Sequence, residues 1–265
     1  MALRIKGTDS FKLNEEIAYK GNIGRNRERF CIDYIDKKRR IIKEIQANQV
    51  QDITQKGGEI TCRKGCSHCC FLYMNASLQE CEAIVYYLYH SEKAMTTFLK
   101  NYRIWREQLR NNGDIFKKCS KLYKQLLCDK IDSHNRLELF RIFDKEAKRY
   151  QYQNIPCPFL ENNLCCIYEV RPFACVGTVA TTPNNWCDPS NNKEPIVFMT
   201  EISAVFDKSF YYQKIEDYIL TFFPITVYEI LRYGYKTLAK ITGLVDLQDK
   251  ILCDPEVEAI IESYI

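Results

Sequence analysis

The residues of this chain whose type and spacing point to chemistry are its 14 cysteines. Most of them lie in two short stretches, 62–70 and 157–187, and the others occur singly. Thiolates bind zinc, iron–sulfur clusters and copper(I), and they are also redox-active groups. The uneven distribution therefore indicates a metal centre or a redox site.

The cellular compartment decides between metal ligands and disulfides. The first thirty residues alternate charged and polar side chains, with no apolar stretch typical of a signal peptide. The most apolar stretch, 218–227, is too short to span a bilayer and contains Pro224. We therefore expect a cytoplasmic protein with no membrane span, whose thiols stay reduced and whose clustered cysteines bind metal.

The first cluster runs from Cys62 to Cys70 and contains the short spacing Cys66-x2-Cys69. This spacing lets two thiolates reach one ion from a single turn, and Gly65 supplies the backbone freedom that the turn needs. Cys62 could complete a three-ligand arc. Because the side chains of adjacent residues diverge, we expect Cys69 and Cys70 to serve two centres, or one centre and a packing role.

The second cluster consists of five cysteines around an Arg-Pro pair: Cys157, Cys165, Cys166, Arg171-Pro172, Cys175 and Cys187. Neither cluster alone supplies two complete four-thiolate sites, but the two together could. The clusters are about ninety residues apart. Shared coordination would hold the two loops together across the helices between them and would contribute folding free energy directly.

The order of these cysteines resembles the YkgJ-type cysteine-cluster family, a zinc- or iron-chelating domain. The family pattern is C-x3-C-x2-C-C, then C-P-x-L, C-x-I-[YF], R-P-x-x-C and a final cysteine. The matching residues of this chain span roughly 60–190 and are Cys62, Cys66, Cys69, Cys70, Cys157-Pro158, Leu160, Cys165, Ile167, Tyr168, Arg171, Pro172, Cys175 and Cys187. Cys166 is an extra cysteine at a variable position of the family.

The resemblance implies a zinc or iron centre held by the eight matching cysteines. Some relatives are described as flagellin lysine methylases associated with an iron–sulfur cluster, which makes a 4Fe-4S cluster one form of the centre. Spacing does not separate the metals, because a closed zinc site and an iron–sulfur cluster both take four cysteines.

Three residues beside these ligands have open roles. Cys166 is either a spare ligand or a packing residue. His68 could bind through an imidazole nitrogen, but with eight cysteines at hand we expect it beside the ligands or on the surface. The guanidinium of Arg171 could donate N–H groups to sulfur and offset the charge of the thiolates, or it could form a salt bridge with Glu161 or Glu169.

The remaining cysteines lie singly in helical patterns, and we interpret them as packing residues: Cys31, Cys81, Cys119, Cys128 and Cys253. The run Lys37-Lys-Arg-Arg40 lies on a predicted helix and is typical of a solvated helix face. The aromatic residues at helical spacing over 98–105 and 210–223 are predicted to pack in the core.

Helical patterns fill most of the chain between the cysteine clusters and around them. The first predicted helix ends at Gly57-Gly58, Ser77-x-x-Glu80 has the form of a capping box, and Ser91 restarts a helix. Asp254-Pro255 looks like a further capped start. Other helices are predicted over about 115–128, 133–151, 209–223 and 225–242.

Extended segments are predicted only over 59–62, 157–160, 165–168 and 196–200, with Asn162-Asn163 as a tight turn. The predicted fold class is mainly α: a helical domain with two cysteine-rich metal-binding loops and at most a small β-hairpin. We divide the chain into an N-terminal helical segment (1–58), a cysteine-cluster core with a helical insert (59–190) and a C-terminal helical extension packed on the core (191–265), together forming one compact unit.

Composition narrows the function classes. The chain carries 38 Lys and Arg against 34 Asp and Glu, a net charge of +4, and has no nucleic-acid-binding motif, so we expect no nucleic-acid partner. Three hypotheses remain: a metal-binding protein with a multi-cysteine zinc or iron centre, an iron–sulfur enzyme that modifies a protein side chain as a flagellin lysine methylase does, and a helical partner-binding module with a structural zinc. The sequence names no catalytic residue, no substrate and no oligomeric state, and leaves a protein partner or protein substrate open.

Overall fold

The computed structural model describes residues 21–126, 133–200 and 220–233. These residues are mainly helical, as predicted from the sequence. The α-helices are α1 (Gly21–Gln55), α2 (Leu78–Tyr89), α3 (Glu92–Asn111), α4 (Gly113–Leu126), α5 (Ser133–Gln151), α6 (Phe173–Gly177) and α7 (Phe223–Tyr233). The short strands are β1 (Asn75–Ser77), β2 (Leu160–Glu161), β3 (Leu164–Cys165), β4 (Thr178–Ala180), β5 (Val197–Met199) and β6 (Leu220–Phe222). Two 3-10 helices, His68–Phe71 and Asn184–Cys187, lie in the cysteine-rich loops.

Helix α1 is amphipathic. Cys31, Ile35, Ile42 and Ile45 are all buried on one side of the helix. The helix stops where glycine permits a left-handed turn, since Gly57 has a φ of 74°. None of the helices in the described ranges combines the length and the apolar character that crossing a bilayer demands.

The predicted helix starts are confirmed by the side chains that cap them. Glu80 N donates to Ser77 Oγ at 3.2 Å and Ser77 N donates to Glu80 Oε2 at 3.0 Å, which completes a capping box at the start of α2. Ser91 accepts a hydrogen bond from Ala94 N at the start of α3. Helices α4 and α5 then pack on each other, and Lys118 pairs with Glu146 between them at 2.7 Å.

The strands form three small antiparallel sheets, more than the single hairpin expected. The hairpin of β2 and β3 turns at Asn162 and Asn163, whose φ values of 51° and 61° fit a two-residue turn. The other two sheets are long-range: β1 pairs with β6, and β4 pairs with β5 across the predicted boundary at 190. The predicted strand over 59–62 is absent from the described strands, but Thr61 N donates to Ala180 O at 2.9 Å, so this segment lies beside β4.

The C-terminal predictions fall largely outside the described residues. Residues 220–222 form β6 rather than the end of a helix, and α7 covers the first part of the helix predicted over 225–242. The residues from 201 to 219, the segment after 233 and the helix start at Asp254-Pro255 are not described.

A buried ion pair joins α1 to α2, and its carboxylate also bonds to the second cysteine-rich loop. Lys38 has no exposed side-chain surface, so the interpretation of its basic run as a solvated face is wrong for this residue. Its Nζ lies 2.7 Å from Glu80 Oε1, the same oxygen that accepts a hydrogen bond from Phe173 N at 2.8 Å. The Glu80 carboxylate therefore contacts α1, caps α2 and fixes the start of α6.

We predict that Lys38→Met lowers the free energy of unfolding by about 3–5 kcal/mol, because it leaves the Glu80 carboxylate buried without its cation. Urea titration followed by circular dichroism measures the change. The matched control is Lys37→Met, which removes only the exposed pair with Asp33 and is expected to cost below about 1 kcal/mol. Equal losses in the two variants would contradict a structural role for the buried pair.

Candidate metal centre

The two cysteine-rich loops lie side by side, although helices α2 to α5 separate them in sequence. Cys157 N donates to Cys70 O at 2.7 Å, and Ser67 Oγ lies 3.2 Å from Asn163 Oδ1. The two 3-10 helices of these loops also pack against each other. Hydrogen bonds of the chain itself thus bring the predicted ligand clusters together.

The loops enclose a cavity of about 440 Å³. Seven of the eight predicted ligands line it: Cys62, Cys66, Cys69, Cys70, Cys157, Cys165 and Cys175. Cys187 is outside this lining, but it interacts electrostatically with Cys62, Cys66 and Cys69. The structure therefore gathers all eight predicted ligands into one neighbourhood.

Aromatic side chains form much of the remaining wall of the cavity. Trp105, Tyr150 and Phe222 line it, and all three are buried. Helical spacing predicts Trp105 and Phe222 only as core residues, because it shows that a side chain points inward and cannot show that a cavity lies beside it. The aromatic part of the cavity wall was therefore not predicted from the sequence.

The thiol of Cys62 is held by the backbone of β4. Ala180 N donates to Cys62 Sγ at 3.1 Å, and the Thr61 hydroxyl donates to the carbonyl oxygen of Ala180. Burial raises the pKa of Cys62, and the N–H bond from Ala180 opposes this by favouring the thiolate. These hydrogen bonds attach the first loop to β4 at Cys62, its first predicted ligand.

The adjacent pair Cys69 and Cys70 shares a hydrogen bond between the two side chains. This bond lowers the pKa of Cys69 to about 7, with a smaller contribution from the nearby Arg171. The same bond raises the pKa of Cys70, because its thiol is the donor. Cys69 is therefore readily ionised, and the thiolate is the form that binds metal.

Three further thiols of the cavity, those of Cys157, Cys165 and Cys175, are harder to ionise. Burial raises the pKa of Cys157 and that of Cys175 well above the usual value, and the neighbouring thiols raise them further by repulsion. The pKa of Cys165 is raised to about 11, again chiefly by burial. A bound cation reverses both effects, so metal binding would release protons from these thiols and stabilise the fold.

Arg171 lies beside the thiols and is 9% exposed. Its Nη1 donates to Tyr168 O at 2.6 Å, and its guanidinium stacks on the Tyr168 ring at 3.7 Å. Its positive charge contributes to the lowered pKa of Cys69 and partly opposes the rise in the pKa values of Cys165 and Cys175. The arrangement is that of a cation which offsets the charge of the thiolates.

The alternative salt bridges of Arg171 do not form among the described residues. Glu161 accepts a hydrogen bond from Thr97 Oγ1 at 3.1 Å, and Glu169 pairs with Arg39 at 2.9 Å. Both candidate carboxylates thus have other partners.

The two additional ligand candidates, Cys166 and His68, are not part of the cavity lining. Cys166 packs against the hydrophobic core, and its Sγ lies 3.9 Å from Ala94 O. His68 is half-buried in the first 3-10 helix, where it interacts electrostatically with Asp188. The geometry favours a packing role for Cys166 and a place beside the ligands for His68.

The single cysteines that are described lie in the core. Cys31, Cys81 and Cys119 have no exposed surface, which confirms that they are packing residues. Cys128 and Cys253 lie outside the described residues.

The positions of the thiols bear directly on metal binding. Over the ranges that the structure describes, no three His, Cys, Asp or Glu side chains stand close enough together to hold one ion. By type, however, a set of thiols around one cavity, with a guanidinium beside them, fits the preference of zinc and of iron–sulfur clusters for sulfur ligands. The donor chemistry therefore fits the metals that the sequence indicates.

Comparison with known proteins adds no assignment: no family model, curated protein or solved structure matches this chain. The resemblance to the YkgJ-type family therefore depends on the cysteine pattern.

We predict that Cys70→Ala slows alkylation of Cys69 by iodoacetamide at pH 7 in metal-free protein. Loss of the donor raises the pKa of Cys69 from about 7 towards the ordinary thiol value of 9.0, so the thiolate fraction falls. Since a more basic thiolate is also a better nucleophile, the net decrease is on the order of five- to tenfold. Mass spectrometry of the modified peptide measures the rate.

The control is Cys166→Ala, which removes a neighbouring thiol that makes no bond to Cys69 and is expected to leave the rate unchanged. At pH 10, where Cys69 is ionised in both proteins, the order should reverse and Cys70→Ala should react faster, because its more basic thiolate is the better nucleophile. An unchanged rate in Cys70→Ala at pH 7 would contradict the hydrogen bond.

Proposed function

We propose that this chain is a cytoplasmic metal-binding protein with a multi-cysteine zinc or iron centre. The ligands are the eight cysteines Cys62, Cys66, Cys69, Cys70, Cys157, Cys165, Cys175 and Cys187. The observation that supports this proposal is the convergence of two distant cysteine clusters on one cavity. A 4Fe-4S cluster is one form that the centre can take.

The state of the thiols supports metal binding over disulfide bonding. The eight cysteines carry free thiols, which persist in a reducing cytoplasm. Burial raises the pKa values of Cys157 and Cys175, so without a bound cation these thiols resist ionisation. A cation compensates for this, and the binding energy then adds to the free energy of folding.

Metal analysis of anaerobically purified full-length protein, combined with its visible spectrum, tests the proposal. Stoichiometric zinc without visible absorption indicates a thiolate zinc site, whereas iron with visible absorption indicates a cluster. The protein is expected to lose thermal stability when a chelator removes the metal. A summed zinc and iron content of less than one metal atom per chain would contradict the proposal.

We predict that Cys66→Ser lowers metal affinity by more than the roughly 10–100-fold cost of losing a group that only supports a ligand. Its melting temperature should fall with its metal content. Cys119→Ala is the matched control, because it removes a buried thiol that does not line the cavity and should keep the metal. If both variants retain equal amounts of metal, Cys66 is not a ligand.

A second candidate function, an iron–sulfur enzyme that modifies a protein side chain, is favoured by the size of the cavity. Ligand pockets typically measure about 300–1,000 Å³, and 440 Å³ lies in this range. The largely apolar wall offers a place for a substrate beside the thiols. An enzyme of this kind needs an open coordination position on iron, which the sequence could flank with His68, Arg171 or Trp186. Of these three, only Arg171 lines the cavity.

Colour and paramagnetism distinguish this candidate from a closed zinc site. The enzyme hypothesis requires a brown anaerobic preparation whose electron paramagnetic resonance signal, after reduction, changes when azide occupies an open position on iron. A colourless protein that holds only zinc would contradict it.

A further inference from the structure

We propose that the cavity beside the thiols binds a small organic carboxylate. The carboxylate pairs with the guanidinium of Arg171, and the apolar body of the ligand packs on the aromatic wall. Binding of this kind goes beyond the proposed function, because it depends on the cavity and on Arg171 and requires no metal. Three features of the lining support it: buried donors without an acceptor, the sign of the charges, and the aromatic wall.

Arg171 has hydrogen-bond donors that no described residue uses. The residue lines the cavity and is 9% exposed. Its Nη1 donates to Tyr168 O, but within residues 21–126, 133–200 and 220–233 no oxygen or sulfur accepts a hydrogen bond from Nε or Nη2. Since buried polar groups normally have partners, a molecule inside the cavity is needed to supply this acceptor.

Tyr150 is a second buried donor in the same lining, with 2% of its surface exposed. Its oxygen accepts a hydrogen bond from the side chain of Trp105, and burial raises the pKa of Tyr150, so the hydroxyl keeps its proton. No acceptor for this O–H is found in the part of the chain that the structure describes. Two enclosed donors in one cavity favour a ligand that carries oxygen acceptors over a pure hydrocarbon.

The formal charges of the lining have one sign. Among the described residues that line the cavity, Arg63, Lys64 and Arg171 are basic, and there is no Asp or Glu. Arg63 and Lys64 are exposed, so they lie toward the opening of the cavity to solvent. These charges attract an anionic ligand and disfavour a cationic one.

The geometry of the guanidinium selects a carboxylate among anions. Nε and Nη2 lie along one edge of the guanidinium plane, and two parallel N–H groups of this kind match the two oxygens of a carboxylate. A single enclosed guanidinium also balances one negative charge. A monoanionic carboxylate therefore fits better than a phosphate dianion.

The remaining wall suits an apolar ring. Phe159 and Phe223, which stack on each other with their ring centroids 5.4 Å apart, line the cavity together with Trp105, Tyr150 and Phe222. A ligand ring gains both buried area and favourable ring contacts against such a surface. The volume of about 440 Å³ is within the range of small-molecule pockets, so it accommodates a ring together with a short chain.

Isothermal titration calorimetry with three ligands that share one body tests the proposal on anaerobically purified full-length protein. The ligands are 4-phenylbutyrate, its neutral amide 4-phenylbutyramide, and the cation 4-phenylbutylamine. The acid is expected to bind on the order of ten- to hundredfold more tightly than the amide, because hydrogen bonds to a charged group are the stronger ones, and the amine should bind most weakly. Equal affinities of acid and amide, tighter binding of the amine, or no binding of the acid up to about 1 mM would overturn the proposal.

Variants of Arg171 test the assigned partner of the carboxylate. Arg171→Gln should lower the affinity for 4-phenylbutyrate to that for the amide and leave the affinity for the amide unchanged. Arg171→Lys keeps the charge without the paired donors, so it should fall between the two. The control Arg110→Gln replaces an exposed arginine outside the lining and should bind as the wild type does. Unchanged binding of the acid in Arg171→Gln would overturn the proposal, since the carboxylate would then bind elsewhere, such as on a metal.

Tryptophan fluorescence locates the ligand without any change at Arg171, so the test stands if the Arg171 variants fail to fold. The chain has two tryptophans, and Trp186 is outside the described lining. In Trp186→Phe, the emission of Trp105 should change with 4-phenylbutyrate and saturate at the dissociation constant found by calorimetry. A constant emission would place the ligand outside the cavity and overturn the proposal.

Metal content measured on the same preparation separates this proposal from the proposed function. Protein that holds zinc or iron but does not prefer the acid would overturn the carboxylate site alone. Protein that lacks both metals and still prefers the acid through Arg171 would contradict the metal centre alone.

Discussion

The buried carboxylate of Glu80 is the interaction on which the position of the second cysteine-rich loop depends. It caps α2 through Ser77, pairs with Lys38 of α1, and accepts the backbone N–H of Phe173. Because a buried carboxylate is strongly destabilising without partners, these contacts must form together. Phe173 lies between Arg171 and Cys175, so a helix cap also positions the guanidinium and one of the proposed ligands.

Burial has opposite effects on the fold and on the thiols: it stabilises the packed core, but it disfavours the thiolate form of buried cysteines. The hydrogen bonds between the loops bring the cysteines together, and burial then opposes the ionisation of Cys157 and Cys175. A bound cation removes this opposition, which couples metal binding to folding. Arg171 supplies part of the same compensation from the protein itself.

Local features were predictable from the sequence because their signals are local. The end of α1 just before Gly57, the cap at Ser77, the bounds of α5 and the turn at Asn162 each depend on a few neighbouring residues. The long-range pairing of β1 with β6 was not predictable, since strands of three residues carry too little pattern to identify a partner. Burial of Lys38 was likewise hidden, because its partner lies 42 residues away.

X-ray absorption at the zinc and iron edges of anaerobically purified full-length protein tests the central claim most directly. It identifies the atoms that contact the metal, without reference to activity or to the effects of a substitution. The account predicts a first shell of sulfur, at about 2.3 Å if the metal is zinc. A first shell of nitrogen or oxygen at about 2.0–2.2 Å would contradict it.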